Sequence, residues 1–333
     1  MPGIGIISNP NAGLNKLSPK FKDRLALILG QDGELVSTGT LDDAEAAARA
    51  FKKFEIDIVA ISGGDGTAHR TIELMLKVYG DQPVPPVLLL PSGTQNMVPK
   101  SFGIRGSSLS TLLLTIARYK HNVPIRCIKR NILRVNGHYS FMFGIGSATR
   151  FLKLYYDRDA TSALGAAKLV AEVIGDSIMG GEMASNITRN MEISYRADEG
   201  PAVRVSAHAF FCSFVEKLAL GFKLFPRAGW DKNVFEAAWT WATPVSLGKQ
   251  IPALWLGRID RQKQVGRTMA RTLQLVLESP ESYTLDGELY EPETEFLITA
   301  GPELCFVVPG LGLRKDKMVR TTRIGPWAMR YML

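Results

Sequence analysis

The first 125 residues alternate short apolar runs with stretches of helical spacing, and this rhythm restricts the fold more than any other feature of the chain. Residues 5–8, 56–61 and 87–90 read as buried strands, with 34–37 a further strand between them. Helical spacing over 19–29, 42–54 and 68–79 separates them, and Thr40 with Asp43 three residues on has the spacing of a capping box for the second of these helices. Strand–helix–strand repeats of this length predict a parallel sheet covered by helices.

After about Pro124 the rhythm changes. Asn136-Gly137, between runs at 131–135 and 138–143, is a hairpin signal because both residues accept the positive φ of a type I′ turn. Candidate strands follow at 191–195, 203–214, 234–240, 272–278, 282–285, 295–299 and 304–308, interrupted by helical stretches at 162–179 and 246–256. The expected fold class is therefore α/β plus β: an N-terminal parallel-sheet α/β domain over 1–125 and a C-terminal, mostly antiparallel β-sandwich domain over 126–310. A basic tail, 311–333, is expected to dock back on the first domain, and a cleft is expected where the halves meet. At about 100–200 residues per domain, 333 residues suit two domains, and a hydrophobic fraction of 46% supplies the core and excludes a disordered chain.

The net charge of +8 is unevenly placed. From 313 to 333 stand Arg314, Lys315, Lys317, Arg320, Arg323 and Arg330 against Asp316, a net +5, and Arg258, Arg261, Lys263, Arg267 and Arg271 against Asp260 give +4. Such stretches suit phosphates or an anionic membrane surface, and a solvated face is the plainer alternative. No zinc-finger, RRM or KH signature occurs, so no nucleic-acid partner is expected. Cys127, Cys212 and Cys305 are odd in number and widely spaced, against a disulfide framework. With no basic n-region at the start and no run of about 18 apolar residues, a cytoplasmic protein in peripheral contact with membrane is expected. Oligomeric state is open, a homodimer included.

Three loops follow expected strands, at the edge where open parallel sheets bind ligands. Gly63-Gly64-Asp65-Gly66-Thr67 is the most informative. Its glycines let backbone N–H groups approach a phosphate, and the next helix adds its positive dipole end. Asp65 within such a loop repels phosphate unless it holds Mg²⁺ or a hydroxyl. An ordinary Gly-rich βα turn is the competing reading. No P-loop pattern occurs, and Gly144-Ile145-Gly146 lacks the third glycine of a dinucleotide fingerprint.

Six motifs in order resemble the diacylglycerol kinase catalytic-domain superfamily of lipid kinases, which includes bacterial lipid kinases and sphingosine and ceramide kinases, with NAD kinases as distant relatives. They are Asn9-Pro10-Asn11-Ala12-Gly13, Gly63 to Thr67, Pro91-Ser92-Gly93-Thr94-Gln95-Asn96, the stretch from Asn136-Gly137 to Gly146, Gly221 to Phe235 around Pro226, and Asp286-Gly287-Glu288. The resemblance implies ATP and Mg²⁺ as cofactors, a nucleotide site between the domains, and transfer of the γ-phosphate to a lipid hydroxyl. It implies nucleotide contacts at Asn9, Asn11, Thr38, Gly63, Gly64, Asp65, Gly66, Thr67, Gly93, Thr94 and Asn96. It implies catalytic roles for Asp286 as general base, Glu288 as its neighbour and Asp65, and a structural metal at Asp231.

Three positions depart from the pattern. Arg70 stands where a glutamate is usual, Met97 where an aspartate is usual, and Lys232 where an acidic residue accompanies the structural metal, although Asp231 remains. The Lys232 ammonium is suited to the place of that cation. The leading expectation is an ATP- and Mg²⁺-dependent lipid kinase acting on a diacylglycerol-like or sphingoid acceptor at the membrane surface. The alternatives are a nucleotide kinase of the NAD-kinase type and a catalytically impaired lipid- or nucleotide-binding homologue.

Overall fold

The computed structural model describes residues 3–18, 20–93, 96–104, 106–158, 163–217, 222–258, 263–309 and 321–324. Contacts divide the chain into two units, residues 1–130 with 303–333, and residues 131–302.

In the first unit β1 (Ile4–Ser8), β2 (Gly33–Ser37), β3 (Ile58–Gly63) and β4 (Val87–Pro91) are parallel, in the order β2-β1-β3-β4. Phe306, on the returning chain, adds a parallel partner beside Val87. β1 and β3 are buried along their whole length, which is why their sequences run apolar rather than alternate. The helices are α1 (Gly13–Leu17), α2 (Lys20–Leu29), α3 (Leu41–Lys53), α4 (Asp65–Tyr79), α5 (Met97–Ser101) and α6 (Ser108–Lys120). Thr40 and Asp43 form the reciprocal capping box on α3. Helix α4 starts at Asp65, three residues before its expected start, because extended Gly64 serves as its N-cap and an acidic residue is favourable in a first turn. α6 is an element the sequence reading did not include; its cap is Ser107, whose hydroxyl accepts from the Ser110 amide.

The chain leaves the first unit within β5 (Ile125–Val135). The second unit contains β6 (His138–Ser140), β7 (Met142–Gly146), α7 (Ser147–Asp157), α8 (Ala163–Ile178), α9 (Glu182–Ile187), β8 (Met191–Ala197), β9 (Ala202–Ala207), β10 (Ala209–Ser213), β11 (Phe235–Thr240), α10 (Pro244–Leu256), β12 (Val265–Ala270), β13 (Thr272–Leu285) and most of β14 (Glu288–Val307). Its strands pair antiparallel: β12-β11-β10-β7-β13-β14, with β8 and β9 continuing from the first half of β13. One apolar core, including Phe143, Phe210, Phe235, Leu273 and Phe296, lies among them. β15 (Thr321–Ile324) then pairs antiparallel with residues 125–128 of β5, in the first unit; the rest of the tail, with Arg314, Lys315, Lys317, Arg320 and Arg330, lies outside the described residues.

Several strand limits differ from expectation for identifiable reasons. The run 138–143 breaks at Phe141, whose amide turns to a side chain described below, and 203–214 breaks at His208, whose carbonyl accepts from the Ser147 amide. The runs 272–278 and 282–285 are one strand with irregular register around Glu281. Asn136-Gly137 has φ of 47° and 94°, and Asp286-Gly287 has 52° and 95°, so both two-residue turns carry the paired positive φ of type I′.

Candidate active site

Register brings the first-unit loops to one level. Ser8 pairs with Ser37 on one side and Ser62 on the other, and Gly63 pairs with Pro91, so β1 to β4 end together. Asn9, Thr38, Gly64 and Ser92 therefore emerge along one carboxyl edge of the sheet.

The loops are tied to one another there. The Asn9 amide donates to Ser62 O at 3.1 Å, its Nδ2 to Thr67 Oγ1 at 3.0 Å, and its Oδ1 accepts from the Asn11 amide at 2.9 Å. Thr38 is buried, and its amide donates to Ser8 O at 2.9 Å. Gly93 and Asn96 close a reciprocal pair, Gly93 N to Asn96 Oδ1 at 2.9 Å and Asn96 Nδ2 to Gly93 O at 2.7 Å, with Asn96 left-handed at φ 49°. Asp65, in the first turn of α4, accepts from the Val98 amide at 3.1 Å and so joins the second loop to the third. A Cβ on Gly93 would lie 2.5 Å from the Gly64 Cα, so the two glycine loops pass backbone against backbone. Thr94 lies outside the described residues.

The sequence reading missed the residues beneath these loops. Asn15 Nδ2 donates to Asn9 O at 2.6 Å and to Ser62 O at 3.2 Å. The buried hydroxyls of Ser62, Ser92 and Ser108 stand 3.2 and 3.3 Å apart in a chain that ends on Pro91 O, 2.9 Å from Ser108 Oγ. A buried hydroxyl needs a partner, so serine at the end of two apolar strands was the available signal.

In the second unit Asp286 is buried, 7% exposed, at the β13–β14 turn. Its Oδ2 accepts from the Phe141 amide at 2.9 Å, its Oδ1 from Phe141 at 3.1 Å and from Met142 at 2.9 Å, while its own amide donates to Met142 O at 3.1 Å. Those amides are the ones released where β6 and β7 separate. Glu288, half-buried, opens β14, and Tyr156 Oη donates to Gly287 O at 3.0 Å. Burial, and secondly the Glu288 charge, hold the Tyr156 phenol above its ordinary pKa.

The departing positions are placed plainly. Arg70 pairs with Glu73 at 3.8 Å along α4. Asp231 and Lys232 are both exposed, and among the described residues no group of three or more His, Cys, Asp or Glu side chains converges to hold a metal ion. Of the basic stretch, Arg258, Lys263 and Arg271 are exposed and Arg261 lies outside the described residues. Arg267 is internal, 6% exposed, donating to Leu224 O and pairing at 3.2 Å with fully buried Glu236, whose carboxyl burial pushes up. Among the described residues no helix is long and apolar enough to cross a membrane.

The first unit is thus a parallel-sheet α/β domain whose glycine and asparagine loops interlock at the carboxyl edge, with a helix starting at one of them, the edge where open parallel sheets bind ligands. Residues 4–128 match the family model of the diacylglycerol kinase catalytic domain. A crystal structure of a diacylglycerol kinase from Bacillus anthracis strain Sterne is similar with a TM-score of 0.63 at 15% identity, covering 95% of this chain and 98% of that one. A second Bacillus anthracis structure, assigned provisionally as a diacylglycerol kinase, is similar with a TM-score of 0.70 at 15% identity, covering 92% and 96%. At that identity the likeness shows the fold. No curated protein matches the sequence significantly.

Proposed function

We propose that the protein is a lipid kinase that transfers the γ-phosphate of ATP, with Mg²⁺, to the hydroxyl of a diacylglycerol-like or sphingoid lipid. The observation that supports this most is the convergence of Asn9, Thr38, Gly63 to Thr67, Gly93 and Asn96 on one sheet edge within the stretch that matches the diacylglycerol kinase catalytic domain. The fit to ATP rests on backbone: loops in which a Cβ at Gly93 would collide with Gly64 leave main chain, not side chains, to face a phosphate. Asp65 contributes a single carboxylate, which suits Mg²⁺, a cation that takes one or two carboxylates and fills its remaining positions with phosphate oxygens and water. When bound, the cation neutralises phosphate charge and orients the γ-phosphate.

Asp286 is the proposed general base. The amides of Phe141 and Met142 fix its carboxylate, so the group that takes the acceptor's proton is held in one orientation. Glu288, on the same turn, supplies the adjacent negative charge. The proposed membrane contact, from a cytoplasmic location, uses exposed Arg258, Lys263 and Arg271, each worth about 1 kcal/mol beside anionic lipid; buried Arg267 contributes nothing to it.

Incubation of the full chain with radiolabelled ATP, Mg²⁺ and mixed micelles containing diacylglycerol, monoacylglycerol, sphingosine or NAD tests the reading. A labelled lipid is expected. Label in NAD alone, or in no acceptor, overturns it.

A further inference from the structure

Helix α7 lies along the β13–β14 hairpin and meets it through one stripe of side chains. Arg150 pairs with Glu281 at 2.6 Å, Lys153 donates to Ser282 Oγ at 3.0 Å, and Tyr156 donates to Gly287 O at 3.0 Å. Positions 150, 153 and 156 recur every three residues, which places them on one side of a helix, and their partners follow in order along the hairpin. The first two contacts reach the body of β13. The third reaches the tip, where Asp286 and Gly287 form the two-residue turn between the paired residues Leu285 and Glu288.

The two acidic residues of the tip are held differently. Asp286 is fixed by the Phe141 and Met142 amides. The peptide joining Gly287 to Glu288 has its carbonyl on the Tyr156 hydroxyl. We propose that Tyr156 is a positioning residue of the acceptor turn, whose hydroxyl bond to Gly287 O sets the direction in which Glu288 stands beside Asp286 toward the lipid hydroxyl. The inference rests on the reading of Asp286-Gly287-Glu288 as that turn.

Three properties suit Tyr156 to the part. Its ring is anchored edge-on against buried Tyr155, centroids 5.4 Å apart, so the hydroxyl is delivered from a fixed platform. Burial and the Glu288 charge keep the phenol protonated, and only the protonated phenol can donate. The side chain is also 48% exposed, so the bond adds little to global stability while still setting a local direction. A small misplacement of a reacting group costs far more in rate than one hydrogen bond costs in folding.

The test is Tyr156→Phe in the full chain, which deletes the hydroxyl and keeps the ring. With the lipid acceptor found above, kcat is expected to fall about tenfold or more, with the KM for ATP unchanged and the unfolding midpoint lowered by about 2–4 °C or less. Amide hydrogen exchange is expected to quicken in peptides covering 283–292 and nowhere in the first unit. Unchanged kcat, or a fall in kcat matched by a general loss of stability, overturns the proposal. If the wild-type chain labels no acceptor, the functional reading and the catalytic part of this inference fall together. Exchange then decides the anchor alone: quickening upholds it and unchanged exchange removes it.

Discussion

The sheet edge of the first unit and the Asp286 turn of the second are assembled in opposite ways. At the edge, four loops follow four parallel strands that end in register, and loop meets loop largely through main chain: Asn9 N on Ser62 O, Ser92 N on Gly63 O, Gly93 against Gly64. At the turn, a single carboxylate reaches back 145 residues to amides that a strand break releases, and a helix 131 residues upstream holds the tip. The first site is built from what each loop is. The second is built from what distant elements bring to it. A backbone site tolerates side-chain change and is intolerant of bulk; a side-chain site is the reverse.

Substitutions that invert these tolerances test the comparison, and the largest effect is expected at Asp286. Asp286→Asn keeps one oxygen for an amide donor but turns an NH₂ group toward the others, at a folding cost of about 1–3 kcal/mol. Loss of the proposed base is expected to lower lipid phosphorylation about 10²- to 10⁴-fold, with calorimetric ATP affinity unchanged because the proposed nucleotide loops belong to the other unit. Turnover within a few-fold of wild type would leave Asp286 a structural carboxylate that ties a hairpin to a strand break.

Gly93→Ala is the complementary change and the next in size. Its Cβ would stand 2.5 Å from the Gly64 Cα, about 1 Å inside normal contact, so the two loops must part. Overpacking of this kind costs about 1–3 kcal/mol, and because the strain falls on the loops themselves, ATP affinity is expected to drop about 10- to 100-fold by titration calorimetry. Hydrogen exchange around 283–292 should stay as in wild type. ATP affinity equal to wild type would show that the close passage of Gly64 and Gly93 is not where phosphate binds.

The same contrast explains what could be read from the sequence. The strands of the first unit, the Thr40–Asp43 box and the glycine loops are local: each needs only a few neighbouring residues to declare itself, and the parallel sheet follows from their rhythm. The Asn136-Gly137 and Asp286-Gly287 turns are equally local, since positive φ at both positions is a demand on residue type. What escaped was non-local. Breaks at Phe141 and His208 are imposed by hydrogen bonds from residues far along the chain, so no window around either position contains their cause. α7 was missed because its role lies in Arg150, Lys153 and Tyr156 facing hairpin residues that stand 129 to 131 positions later. Arg267 looked like surface charge because its partner, Glu236, stands alone in an apolar strand, where an acidic residue reads as noise until the strand across from it is known.

The smallest predicted effect probes the far end of the α7 brace. His208 is buried beside the start of α7; its Nε2 donates to Ala242 O at 2.7 Å, and its Nδ1 meets Ser147 Oγ at 2.6 Å. A carbonyl only accepts, so the neutral ring carries its proton on Nε2 and accepts a hydrogen bond from the Ser147 hydroxyl at Nδ1. Burial depresses the His208 pKa, the Ala242 carbonyl opposes that shift, and the positive charge of Arg150 on α7 adds to it. With the folded value below the ordinary 6.5, the unfolded chain binds the proton more readily. Stability is therefore fully present above about pH 6.5 and is lost as the pH falls below it, with a slope of at most about 1.4 kcal/mol per pH unit until the folded value is reached. Urea unfolding between pH 5 and 8 should show this slope in the wild-type protein and a shallower one in His208→Gln. Hydrogen exchange at 147–151 should quicken at pH 5 before any change around Asn9 to Gly13, because the first unit has no part in this contact. Equal slopes in the two proteins would mean that the α7 brace is held at Glu281 and Gly287 alone, and that the cross-ties of the second unit are narrower than those of the sheet edge.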